Sequence, residues 1–129
     1  MKLYEIVNAK NAFKQLTGLR FTSFSKSRDI AKTYMRIEEE YKFFVDEQLK
    51  IVNEHVARDE NNKPKIQNGN FVFDNMEAKQ HYEIDLQMLL DTEIADFVKI
   101  DLTEKDFLKP NDLPTPDTMI QLDSFINWV

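Results

Sequence analysis

From Ser25 to Ala57 the chain keeps one rhythm. Apolar or aromatic side chains recur at Ile30, Tyr34, Ile37, Tyr41, Phe44 and Ile51, with Gln48 and His55 on the remaining beats. Steps of three and four are the period of an amphipathic helix. No glycine or proline interrupts the segment, and Ser25 or Ser27 can cap its start. A continuous helix over 25–57 makes a rod of roughly 50 Å at about 1.5 Å per residue. A second stripe, Val45, Leu49, Val52 and Val56, lies beside the first. Two adjacent stripes predict a wide buried face in the C-terminal half, so this helix is expected to pack against more than one element.

A second helical rhythm runs over 75–92, with Tyr82, Leu86 and Leu89 on one line and Ile84, Met88 and Leu90 widening it. Asp74 or Asn75 is its cap, and Glu77 sits where a carboxylate suits the helix dipole. The two helices are expected to form an antiparallel hairpin. Between them, "DENNKP" stops the first helix, and Asn68-Gly69 is the signature of a tight turn whose central residues need positive φ. The stretch 64–73 therefore reads as a β-hairpin with Phe71 and Phe73 on one face. A two-stranded ribbon is marginal alone, so these rings, or "FVKIDL" (97–102, a strand by its alternation) as a third strand, must anchor it.

At the N-terminus "NAKNAFKQLTG" carries the start and stop chemistry of a short helix, from Asn8 to Gly18. The preceding Met1–Val7 alternates weakly, as a short strand or arm would. At the other end, Thr115 caps, Pro116 takes the first helical position, and Met119, Leu122, Ile126 and Val129 form a stripe with Phe125 and Trp128 beside it. This predicts a C-terminal helix over 115–128, docked in the core by default; an exposed version would be a helix-in-groove ligand. The fold class is α+β, mainly α, in one domain spanning 1–129: a long antiparallel helical hairpin with a small β-hairpin or short sheet and a C-terminal helix.

Composition narrows the chemistry. The 129 residues include two glycines, Gly18 and Gly69, with fifty residues between them, so neither a phosphate-cradling loop nor a nucleophile elbow can form. The chain has no cysteine, which removes disulfides, thiolate catalysis and cysteine-held metals. It has two histidines, His55 and His81. Antiparallel helices would bring them to one end, but a metal site there would need carboxylates converging from both helices, and neither histidine follows a glutamate by three residues. No cofactor and no metal are expected, and no catalytic residue stands out. Arg28, Lys32 and Arg36 lie one turn apart, a row that could bind phosphates but more often solvates a helix.

Net charge is −6, unevenly spread: +2 over residues 1–82 and −8 over 83–129. Such polarity suits head-to-tail association, or an acidic face offered to a basic partner. A pI near 4.9 argues against direct nucleic-acid binding, yet allows carboxylates to imitate phosphates in a protein groove. No apolar run reaches the length of a membrane span, and a soluble protein without a signal segment is expected.

The order of "LTGLRF", "SRDIAKTYMRIEEEY", "ARDENNKPKIQNGNFVFDN", "LLDTE", "FVKIDL" and "LPTPDTMIQLDSFI" resembles that in a family of small proteins encoded by tailed phages and prophages of Gram-positive bacteria. The family's usual tail ends in an apolar "L-x-x-L/F-I", which "QLDSFI" matches. It brings no established catalytic residues. The resemblance implies a non-enzymatic accessory protein in the host cytoplasm or on the virion. Its partner would be a phage structural protein or a host factor, with self-association as a further option. The alternative is an inhibitor of a host nuclease or defence complex, of the anti-CRISPR type, using the acidic half. Candidate contact residues are Phe71, Phe73, Asp101, Asp106, Asp112, Phe125 and Trp128.

Overall fold

A computed structural model describes residues 1–129. Helix α1 (Leu3–Thr17) leads to the long α2 (Phe24–His55), followed by a β-hairpin of β1 (Ile66–Gln67) and β2 (Asn70–Phe71). Then come α3 (Met76–Leu90), strand β3 (Ile100–Leu102), two single 3₁₀ turns, the short α4 (Pro116–Gln121) and strand β4 (Ile126–Trp128). The α+β, mainly helical class is as expected, with α2 the longest element at 32 residues and α1 and α3 equal at 15.

Helix α1 begins five residues ahead of the anticipated Asn8. Leu3, Ile6, Ala9, Phe13 and Leu16 are all buried and share one face. The Glu5 carboxylate reaches back to the Lys2 N–H at 2.8 Å, meeting an orphan donor of the first turn. Only Met1 and Lys2 form the extended arm, tied down where Leu3 N–H donates to Thr92 O and Ile94 N–H to Met1 O. Helix α2 is capped by Ser23, two residues before the expected Ser25; its Oγ accepts from Lys26 N–H at 3.2 Å. Asn75 caps α3 as expected, accepting from Ala78 N–H at 2.8 Å.

The turn at Asn68 (φ +53°) and Gly69 (φ +79°) is the one the sequence called for. Its hairpin is anchored at the base, where Ala57 N–H donates to Val72 O and Lys65 N–H to Ala57 O. Phe71 and Phe73 then lie against Tyr82 of α3, with ring centroids 6.0 and 5.2 Å away. "FVKIDL" does not join this ribbon. Its last three residues are β3, which pairs in parallel with β4 at Ile100–Ile126, Asp101–Asn127 and Leu102–Trp128.

That pairing shortens the C-terminal helix. Thr115 caps it and Pro116 opens it as foreseen, but it stops at Gln121 rather than continuing to 128. Leu122, Phe125 and Ile126 are fully buried; the N–H groups of Phe125 and Ile126 still turn back to Leu122 O, but beyond them the backbone pairs with β3, Ile100 N–H donating to Phe125 O at 2.9 Å and Val129 N–H to Leu102 O at 3.0 Å. The core lies between α1, the first half of α2 and this small sheet. Phe13 stacks on Tyr34 and meets Phe125 edge-on, and Phe125 in turn meets Phe97 edge-on at 4.9 Å.

Candidate functional site

Four places on the molecule could carry function. The first joins α2 to α3. His55 Nε2 lies 2.7 Å from Asp85 Oδ2 and 3.6 Å from Glu54 Oε2, and its ring centroid is 6.1 Å from that of His81. The antiparallel hairpin thus brings both histidines to one end, with a carboxylate from each helix. Glu54, His55 and Asp85 could hold a cation between them. The same contacts also describe a plain cross-helix hydrogen bond from a mostly buried imidazole to a carboxylate.

The second is a cleft of about 420 Å³ between the start of α2 and β3, lined by Lys26, Asp29, Lys32, Val98, Lys99 and Asp101. Lys26 Nζ donates to Asp101 O at 2.6 Å, closing one side of it. The last member of the basic row that continues from here is engaged. Arg36 donates to Ala95 O at 2.6 Å and Asp96 O at 3.3 Å, and its guanidinium lies 3.9 Å from the centre of the Phe97 ring. It straps the segment before β3 onto α2, a cation–π and hydrogen-bonding role. In the sequence, an arginine aligned with a solvated row gave no sign of it.

A third cleft, about 350 Å³, is lined by Met1, Glu5, Asp96, Phe97, Lys99, Asp123 and Ser124. Ser124 Oγ donates to Glu5 Oε1 at 2.7 Å, and with the Lys2 N–H it holds the Glu5 carboxyl below its usual range. Asp96 is also held low, by the hydrogen bond and charge of the Met1 amine at 2.6 Å. Each of these carboxylates serves a contact between the first residues of the chain and the segments around β3 and β4.

The fourth is the outer face of α2. Val45 and Leu49, expected to be buried with Val52 and Val56, are 41% and 55% exposed, whereas Val52 and Val56 are buried. The second stripe is therefore covered only at its last turn, because α3 and the hairpin reach no further round the helix. Met35 extends the uncovered line, 65% exposed.

The anticipated contact residues scatter. Phe125 is fully buried against Phe13 and Phe97 and offers nothing to a partner; the docked tail is the reason. Trp128 is half-buried, its Nε1–H donating to Met119 O at 3.2 Å. Phe71 and Phe73 are half-buried on Tyr82, whose phenol burial pushes to a higher pKa. Asp106 Oδ2 accepts from Thr103 N–H at 2.8 Å, so it caps a turn. Asp112 is half-buried in the second 3₁₀ turn, and of the three aspartates only Asp101 is exposed; its Oδ1 accepts from Asn127 at 2.9 Å. No helix is long and apolar enough to cross a membrane. Compared with protein-family models, curated proteins and solved structures, the chain matches none.

Proposed function

We propose that this protein is a non-enzymatic accessory factor of a phage or prophage that acts in the host cytoplasm through protein–protein contact, in virion assembly. The observation that carries the contact reading is the exposed line Met35, Val45 and Leu49 on the outer face of a 32-residue helix. Exposed apolar side chains along one face of a long helix, with the charged pair Glu38 and Lys42 between them, favour helix-to-helix packing with another surface. The phage setting rests on the order of sequence patterns set out above.

The test places a photo-crosslinking amino acid at Leu49 and expresses the full chain during phage growth. Adducts with a phage structural protein are the expected result. Normal phage yield after deletion of the gene, together with no adduct to any phage protein, would overturn the reading. The second reading, inhibition of a host nuclease or defence complex through the acidic half, now draws mainly on Asp101. It requires nuclease binding that weakens steeply with salt, and salt-insensitive binding would remove it.

A further inference from the structure

The outer face of α2 repeats the rhythm of its inner face one residue later. Ile30, Tyr34, Ile37, Tyr41, Phe44 and Gln48 are spaced alternately by four and three, and so are Ala31, Met35, Glu38, Lys42, Val45 and Leu49. One residue is about 100° of helix, so the second series forms a seam of its own. All six of its members are exposed. Alternating steps of four and three are the spacing at which two helices interlock side chains. The seam is also matched about its middle, with Ala31 and Met35 before Glu38, and Val45 and Leu49 after Lys42.

We propose that a second copy of this chain covers the seam, its α2 running antiparallel to the first about a two-fold axis that crosses the helix between Glu38 and Lys42. The proposal rests on reading this face as the contact surface. In that register Glu38 faces Lys42 of the second copy and Lys42 faces Glu38, which gives two opposite-charge contacts at the centre. Met35 then faces Val45, and Ala31 faces Leu49, a small side chain against a large one. The matched seam covers about 27 Å of helix. Lys42 already bonds Asp46 of its own helix at 2.9 Å, so its ammonium sits between that carboxylate and Glu38 of the second copy. A parallel pair in register would set Glu38 against Glu38 and Lys42 against Lys42, which like-charge repulsion opposes. A two-fold arrangement closes on itself and stops at two. An unrelated partner would have to supply the complementary half, whereas this chain carries both halves.

Light scattering of the purified full chain should give twice the 15.3 kDa chain mass. Glu38→Lys and Lys42→Glu, each on the exposed face, should separately give a monomer with unchanged helical circular dichroism, and the double variant E38K/K42E should recover the dimer. Because the chain has no cysteine, Ala31→Cys and Leu49→Cys proteins can be oxidised without background. Their mixture should form the mixed disulfide, and neither should crosslink to itself. A wild-type mass of one chain, a charge-swapped double variant that stays monomeric, or Ala31→Cys crosslinking to itself as readily as to Leu49→Cys would overturn the pairing. A monomeric wild type that still forms adducts with a phage structural protein would overturn the pairing alone and leave the functional reading standing.

Discussion

The molecule contains two sheets of two strands each, and they are held by opposite means. The β1–β2 ribbon is local: five residues apart at most along the ladder, closed by Asn68-Gly69, and lying at the rim with Phe71 and Phe73 half-buried on Tyr82. The β3–β4 pair joins residues 26 apart in the sequence, and its register is set by the buried side chains of Ile100, Leu102 and Ile126. A parallel pair needs a crossover connection, here the two 3₁₀ turns and α4. One sheet is dictated by its turn and the other by the core. Substitutions should therefore cost far more in the second.

The largest effect expected is at Phe125, which touches both Phe13 and Phe97 and carries the carbonyl that starts the β3–β4 ladder. Phe125→Ala should lower unfolding stability by about 3–5 kcal/mol, the usual loss for a buried aromatic ring. Urea titration followed by circular dichroism measures it. Phe73→Ala, just beyond the rim sheet, removes a half-buried ring that leans on one tyrosine, and should lower stability by roughly 1 kcal/mol. Equal losses at the two positions would erase the distinction between the sheets.

That distinction also explains what could be read in advance. The hairpin was legible because its instruction is two adjacent residues, each with a backbone preference that needs no tertiary context. The long helix was legible for a similar reason: its period repeats without a break over many turns. Strand β4 was not. Met119, Leu122, Ile126 and Val129 fit a helical stripe as well as Ile126 and Trp128 fit a strand, and only Ile100–Leu102, far away in sequence, decides between them. The exposure of Val45 and Leu49 was hidden too, since a stripe records which face is apolar and not whether a neighbour reaches it. The Arg36 strap and the Glu5–Ser124 contact likewise join segments that no local pattern connects.

A smaller effect should come from Gly69. Its φ of +79° lies in the left-handed region, and a Cβ added there meets no other atom within 4 Å. Gly69→Ala therefore isolates the conformational cost, about 1 kcal/mol, with no steric clash added. Circular dichroism of the folded state should be unchanged, because only the ribbon depends on the turn. A loss as large as that of Phe125→Ala would mean that the rim sheet is coupled to the core.

The smallest effect is a pH dependence that should belong to the core sheet alone. Ser124, one residue before Phe125, donates to Glu5 in the first turn of α1, and with the Lys2 N–H it lowers that carboxyl below its ordinary value of 4.5. A carboxyl whose folded pKa lies below its unfolded one binds protons more readily when the chain unfolds. Its stabilising contribution is therefore complete above the ordinary value and fades as pH falls through the folded one. Ser124→Ala removes the side-chain hydrogen bond to Glu5 without touching the ring beside it. It should be less stable than the parent at about pH 6, and the gap should close as pH falls through the lowered pKa of Glu5 in the folded parent. Gly69→Ala, which touches no titrating group of this contact, should keep a constant gap from the parent over the same range. If both gaps closed together, the acid sensitivity would belong to the molecule as a whole, and the clamp between α1 and the start of β4 would not be its source.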